Sequence, residues 1–265
     1  MRALEYYRAS SLEDAYQKLQ EDPKNVIVAG GLWIKKMGQS YNTLIDLSTL
    51  GLNQISETEN EVVVGAMVTE RDFEKSPIIN SLYGGAIAFA VREVMGVNFR
   101  NLATIGGSIM GRYPFSDVIA GLLPYDVTLE FYPNNQKMSL EDYLNYKGKM
   151  NAILMNIYIK KGGNAGFFKK IKTTALDFPI LNVAIGRANN KYQIVVGARP
   201  SVASIAHQAS DYLNSLSNPQ ESDFDKASEL ALEELNFLDN KDSSKEYRMD
   251  VAKVYIKRGL KEVSK

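Results

Sequence analysis

The chain contains no cysteine. Disulfides, cysteine-ligated zinc, iron–sulfur clusters and a thiol nucleophile are therefore excluded from it. It has one histidine, His207, so no site needing two can form, and a Ser-His-Asp arrangement has a single candidate base. Net charge is lacking as well, with Lys+Arg 31 against Asp+Glu 31. A net-neutral chain is a poor general binder of nucleic acid or anionic membrane. No apolar run approaches the roughly eighteen residues of a membrane span, and the longest tempting stretch, 86–91, stops at Arg92-Glu93. The start, Met1-Arg2-Ala3-Leu4-Glu5, lacks the apolar core of a secretion signal. A cytoplasmic protein is the expectation. Difficult chemistry in such a chain falls to a cofactor.

What is present is ordinary for a globular protein: 265 residues, 45% hydrophobic and 23% charged. At about 150 residues per domain this gives between one and two domains, enough to bury a core without staples.

Along the chain, Ser10-Ser11-Leu12-Glu13 has the spacing of a capping box, with Ser10 three before Glu13. Leu12, Ala15, Tyr16 and Leu19 continue at helical spacing until Pro23. Val26-Ile27-Val28 reads as a strand running into Ala29-Gly30-Gly31, followed by a helical turn over 32–37. Further strands are expected at 44–47, 62–64, 127–132 and 153–159. Residues 78–95 read as one long helix ended by Gly96, and 98–108 as a loop with a short strand. Gly162-Gly163-Asn164 is the best boundary candidate, dividing the chain into 1–162 and 163–265. Beyond it, strands at 180–185 and 192–196 flank an Asn189-Asn190-Lys191 hairpin turn. Helices near 202–213, 224–235 and 247–263 follow. Segregated strands and helices argue α+β.

Two loops carry the chemistry: Val28-Ala29-Gly30-Gly31-Leu32 and Thr104-Ile105-Gly106-Gly107-Ser108. Glycine lets backbone approach a ligand closely, and successive backbone N–H groups converge on an oxyanion. Two such loops suit the two phosphates of a dinucleotide, with Thr104 and Ser108 as added hydroxyl donors. Paired glycines after strands are more often plain turns, so each loop alone is weak. Neither is G-x-G-x-x-G. The P-loop-like spacing from Gly106 carries Arg112 and Tyr113 where Lys and Ser/Thr are needed, which rejects that motif. Asp117, ten residues after Gly107, has two readings: an acceptor for a ribose hydroxyl or amide, or part of a helix cap with Ser116.

The sequence resembles the FAD-binding medium subunits of the molybdenum hydroxylases, the xanthine dehydrogenase and carbon monoxide dehydrogenase type. The resemblance rests on the Ala-Gly-Gly turn after an apolar strand at 26–32. It rests also on Arg100-Asn101 with Thr104-Ile105-Gly106-Gly107-Ser108, and on Pro114 through Asp117. Ile45-Asp46-Leu47, Val64-Gly65-Ala66, Gly197-Ala198-Arg199-Pro200 and Tyr247-Arg248 fit as well, so nearly the whole chain is covered.

The resemblance implies a two-subdomain FAD-binding domain of the PCMH type, followed by a small domain of antiparallel sheet and helices. It implies that Ile27, Val28, Ala29, Gly30, Gly31, Leu32, Trp33 and Ile34 cradle the FAD pyrophosphate. Thr104, Ile105, Gly106, Gly107 and Ser108 then hold it from the other side. Asp117 falls at a ribose or adenine contact, Leu154 at an apolar contact, and Lys169 where a lysine approaches the flavin. For Lys169 a solvated strand position is nearly as good a reading. Function follows as implied: an electron-transfer subunit with no acid–base residue and no metal of its own. Its partners are an iron–sulfur subunit and a molybdopterin-binding subunit, with NAD+ or another acceptor. Two departures stand out. Lys172-Thr173-Thr174 replaces an Arg pair common in the family, and Trp33-Ile34-Lys35 replaces smaller or polar residues. The rivals are a stand-alone FAD oxidoreductase of related fold and a flavin-free assembly protein. A covalent flavin link in the first would need His207, which reads as a surface residue.

Overall fold

A computed structural model describes residues 2–163 and 165–265. Met1, and Asn164, the last residue of the expected Gly162-Gly163-Asn164 boundary, lie outside the described residues. The chain forms two compact units that are interleaved in sequence. One holds the described residues of 1–73, 96–110 and 127–159, the other those of 74–95, 111–126 and 160–265.

The first unit contains two sheets. The smaller is parallel, in the order Arg2–Arg8, Ser40–Asp46, Val26–Val28. Helix Leu12–Glu21 lays Ala15 and Leu19 onto a core with Ala9, Ile45 and Leu47. Its cap is one residue later than the sequence suggests. The Ser11 hydroxyl accepts from the Asp14 N–H, and Asp14 accepts from the N–H and hydroxyl of Ser10. No capping box closes: Asp14 reaches back to Ser10, the residue before the cap, while Glu13 accepts from Gln17 and Tyr132. The larger sheet runs Ile55–Glu57, Glu61–Gly65, Ile153–Lys160, Val127–Tyr132, Gln136–Ser139. Its inward residues Val62, Val64, Leu129, Phe131, Ile157 and Ile159 are buried, the alternation expected of half-buried strands.

The second unit carries an antiparallel sheet ordered Ser204–Ile205, Lys191–Gly197, Leu181–Ala188, Ala165–Ile171. Helices His207–Asn214, Glu221–Glu234 and Lys245–Val263 share with it one core that includes Val183, Ile185, Ile194, Ala227, Ile256 and Leu260. The hairpin turn at Asn189 and Asn190 has both residues at positive φ, 51° and 60°, a conformation asparagine tolerates well. Two arginines are buried here, each held by neutral oxygens. Arg248 donates to the carbonyls of Ile180, Leu238 and Ser243 and to Asn240 Oδ1. Arg199 donates to the carbonyls of Val196, Asn236 and Val202 and to Ser204 Oγ. The planar fork of donors suits chain ends that turn away from helix or sheet.

The long helix expected over 78–95 is broken. Pro77–Asn80 and Ala86–Arg92 are helical, but Tyr83, Gly84 and Gly85 lie in succession at φ 49°, 64° and 80°. Three left-handed residues cannot continue a right-handed helix. The span 98–108 also differs from its expected loop and strand. It contains two helical turns, Val97–Arg100 and Ile105–Met110. Among the described residues, no helix is long and apolar enough to cross a membrane.

Candidate functional site

The first glycine turn grows from the strand Val26–Val28, held in register by the pairs Ile27↔Ile45 and Val28↔Asp46. Ile27 turns to the helix side and joins that core. Gly31 sits at φ 68° and caps the short helix Leu32–Lys36. Such a conformation costs an L-residue about 1–2 kcal/mol. Gly30 is needed for another reason. A Cβ there would lie 1.9 Å from the Leu102 carbonyl oxygen, so the absence of a side chain lets the two turns approach. Among the described residues, the N–H groups of Gly30 and Gly31 donate to no acceptor of the chain. Ala29, Gly30, Gly31 and Leu32 are half-buried, as are Trp33 and Ile34. The Trp33 ring meets Phe99 edge-on at 5.9 Å, with Lys36 Nζ 5.2 Å from its centroid. Trp33 is thus the apolar flank of the turn.

The second turn is built on a template. Residues 66–70 run alongside it, with Gly106 N–H donating to the Ala66 carbonyl, Ile105 N–H to Val68, and Glu70 N–H to Ala103. Thr69 and Thr104 form an antiparallel bridge. Gly107 N–H donates to Thr104 Oγ1 at 3.1 Å, and Ser108 N–H to the Thr104 carbonyl at 3.0 Å. Four consecutive amides, 105–108, are therefore engaged within the chain. The expectation of free amides is not met here, whereas the Gly30 and Gly31 N–H groups engage no acceptor among the described residues. The Ser108 hydroxyl also differs from its expected role as ligand donor, since it donates to Glu70 Oε1 at 2.7 Å. The two glycines of the pair differ too. A Cβ on Gly106 would lie 2.5 Å from the Ala66 carbonyl oxygen, whereas one on Gly107 would meet Thr104 Oγ1 at 2.9 Å and Ala29 Cβ at 3.9 Å. Gly107 is exposed while Thr104, Ile105 and Gly106 are buried. The exposed backbone of Gly107 and the first turn at Ala29 are neighbours.

Leu154 belongs to the same unit. It is buried on strand Ile153–Lys160, opposite Phe131. The next residue, Met155, accepts from the Ala66 N–H through its carbonyl, which ties that strand to the template of the second turn.

In the other unit, Asp117 is the first residue of helix Asp117–Leu122, capped by Ser116. Its carboxylate is buried between Lys170 Nζ at 2.7 Å and Asn182 Nδ2 at 3.2 Å. Burial pushes the Asp117 carboxyl above its ordinary value, and the Lys170 ammonium and Asn182 amide pull it back. Lys170 also donates to the Glu93 carbonyl. Lys169 does not join this group. It is half-buried, with its Nζ 5.5 Å from the Tyr255 ring centroid. Successive strand residues point to opposite faces, so adjacent lysines serve different surroundings. His207 is exposed at the start of helix His207–Asn214.

Sequence reasoning missed Glu70 and Lys170. Glu70 stands in Thr69-Glu70-Arg71-Asp72, a helix start where an acidic residue reads as solvated. Nothing local tells that it is 1% exposed. For Lys170 the face alternation of the strand was the available signal, but the register was not.

Two family models match the chain. "FAD binding domain in molybdopterin dehydrogenase" covers residues 2–159, and "CO dehydrogenase flavoprotein C-terminal domain" covers residues 166–263. The chain is 24% identical to the nicotine 6-hydroxylase medium subunit of Paenarthrobacter nicotinovorans, over 98% of this chain and 97% of that one. It is 29% identical to the nicotinate dehydrogenase FAD-subunit of Eubacterium barkeri, over 58% of this chain and 55% of that one. Among solved structures, a carbon monoxide dehydrogenase from Hydrogenophaga pseudoflava matches with a TM-score of 0.89 at 21% identity, covering 99% of this chain and 97% of that one. Quinoline 2-oxidoreductase from Pseudomonas putida 86 matches with 0.86 at 23% identity, over 98% and 96%. At such identity these structures speak to the fold.

Proposed function

Since the chain belongs to the family of FAD-binding domains of molybdopterin dehydrogenases, and FAD is its cofactor, we propose that it is the electron-transfer subunit of a molybdenum hydroxylase complex. The carrying observation is the first turn, where among the described residues two adjacent glycine amides engage no acceptor of the chain, and where Ala29 neighbours the exposed Gly107 of the second turn. That arrangement fits a diphosphate: free N–H groups for its oxygens, and a backbone surface that a side chain on Gly107 would fill. Residues 27–34 and 104–108 hold the group, Gly30 and Gly31 by donation and Gly107 by close approach. Leu154 supplies the apolar contact. The resemblance gives Asp117 and Lys169 as further FAD contacts, and the Gly162-Gly163-Asn164 stretch remains the proposed boundary between domains 1–162 and 163–265.

When bound, FAD supplies the chemistry this chain lacks, taking electrons singly from iron–sulfur clusters and delivering them as a pair to NAD+ or another acceptor. The absence of cysteine puts such clusters on another chain. The relatives are named as medium or FAD subunits, which supports partners that carry the molybdopterin and the clusters. The cytoplasmic location belongs to the same reading. The chain's own task is to bind the flavin, orient it and keep its surroundings fixed.

Purified protein should be yellow, with absorbance at about 450 nm, and should capture iron–sulfur and molybdopterin subunits from its source. A protein that neither carries nor binds FAD would overturn the reading. One that binds FAD but oxidises a substrate alone would replace it with the stand-alone oxidoreductase.

A further inference from the structure

The amides of the second turn are engaged, so something other than ligand donation must fix where Gly107 stands. Glu70 reaches both sides of the turn. Its N–H donates to the Ala103 carbonyl at 2.8 Å, just before Thr104. Its carboxylate accepts from Ser108 Oγ at 2.7 Å, just after Gly107. The four residues between are bracketed by one side chain and its own backbone.

Glu70 is itself fixed. It begins helix Glu70–Lys75, and Thr69 ahead of it accepts from the Asp72 N–H and donates to Asp72 Oδ2. A carboxylate that is 1% exposed requires hydrogen-bond partners, and a bond to an ionised oxygen is among the stronger kind. The Ser108 proton is committed to Glu70 and so points away from any phosphate that the turn faces.

We propose that Glu70 is a positioning residue of the FAD site, acting through the Ser108 hydroxyl to hold Gly107 against the first turn. The proposal rests on the diphosphate reading above. Ser108 is then a strut and not a phosphate donor.

A mutant cycle tests this. Affinities for FAD and for ADP, which shares the diphosphate, are measured by titration calorimetry on flavin-stripped full chain. The thermal midpoint of each stripped variant is recorded alongside. S108A, E70A and the double variant should each weaken both ligands by the same factor, about tenfold, the equivalent of one strong hydrogen bond. E70Q keeps an acceptor for Ser108 and should stay within about threefold of the wild type. Losses that multiply in the double variant would show Ser108 touching the ligand independently of Glu70, and would overturn the proposal. So would S108A binding as tightly as the wild type, a result that stands even if E70A fails to fold. Equal loss in E70Q and E70A, with unequal thermal midpoints, would also count against it. Wild-type chain that binds neither FAD nor ADP would sink the function itself and not this refinement.

Discussion

Among the described residues, the Gly30 and Gly31 N–H groups engage no acceptor of the chain. Around Gly106 each is held, by Val68, Ala66 and Thr104 in turn. Both turns are paired glycines beside an apolar segment, yet one leaves its glycine amides unengaged among the described residues and the other has every amide held. The difference comes from what runs beside each. The first turn leaves the edge of a three-stranded sheet and enters a five-residue helix. The second is zipped along residues 66–70, which claim the Ile105 and Gly106 amides, while Thr104 claims the next two. A glycine pair therefore does not by itself signal anion binding. It signals close backbone approach, and the neighbouring segment decides whether the partner is a ligand or the chain.

The contrast can be broken most sharply at Gly30. Gly30→Ala places a methyl against the Leu102 carbonyl and should cost about 3 kcal/mol, read from the urea midpoint of stripped protein. Normal stability in that variant would mean that the turns do not touch. Gly106→Ala should cost somewhat less, about 2 kcal/mol, since its Cβ would crowd the Ala66 oxygen at 2.5 Å, a milder clash than the 1.9 Å between a Gly30 Cβ and the Leu102 oxygen. Gly107→Ala should leave stripped protein within about 1 kcal/mol of the wild type, because alanine's preference for the helix Ile105–Met110 offsets the shift its Cβ forces on Thr104 Oγ1, a side-chain atom 2.9 Å away and not backbone. It should nonetheless lose FAD on gel filtration, the result that would mark Gly107 as ligand-facing and set it apart from Gly106. An unfolded Gly107→Ala, or one that keeps its flavin, would erase that distinction.

The smallest effect concerns Asp46, which pairs with Val28 at the base of the first turn. Burial raises its carboxyl, but donation from Tyr6, Ser48 and Arg8 outweighs it and holds the group below the ordinary 3.8. The ionised form is therefore favoured in the folded state. Its contribution is complete above that value and is lost as pH falls through the folded one. Acid unfolding of Asp46→Asn should lack this component, and identical acid limbs in the two proteins would refute it.

Much of the fold is legible in the sequence. The alternation at 153–159, the apolar run at 127–132 and the asparagine turn at 189–190 each specify a local geometry that tertiary contacts did not override. Strand Arg2–Arg8 was not legible, because it is an edge strand with mostly exposed residues on both faces and so has no one-sided apolar pattern. The helix break at 83–85 was written in Gly84-Gly85, yet the apolar spacing on either side masked it. Of the candidate site, the glycine pairs mark two close backbone approaches, but not which turn leaves its amides unengaged. Glu70 could not be found, since its burial depends on a partner thirty-eight residues away. The two adjacent lysines show the same limit. Sequence finds a cation near position 170, but only the sheet register says that Lys170 faces Asp117 and Lys169 faces Tyr255.

The interleaving of the chain has a practical consequence for anyone cutting this protein into pieces. A fragment ending at residue 163 would retain helices Ala86–Arg92 and Asp117–Leu122, with Ile87, Val91, Val118, Ile119 and Leu122 deprived of the companions they fold with. It should aggregate or bind chaperones, although the family boundary falls where it was severed. Shuffling modules between relatives would succeed only if all three stretches of a unit travelled together.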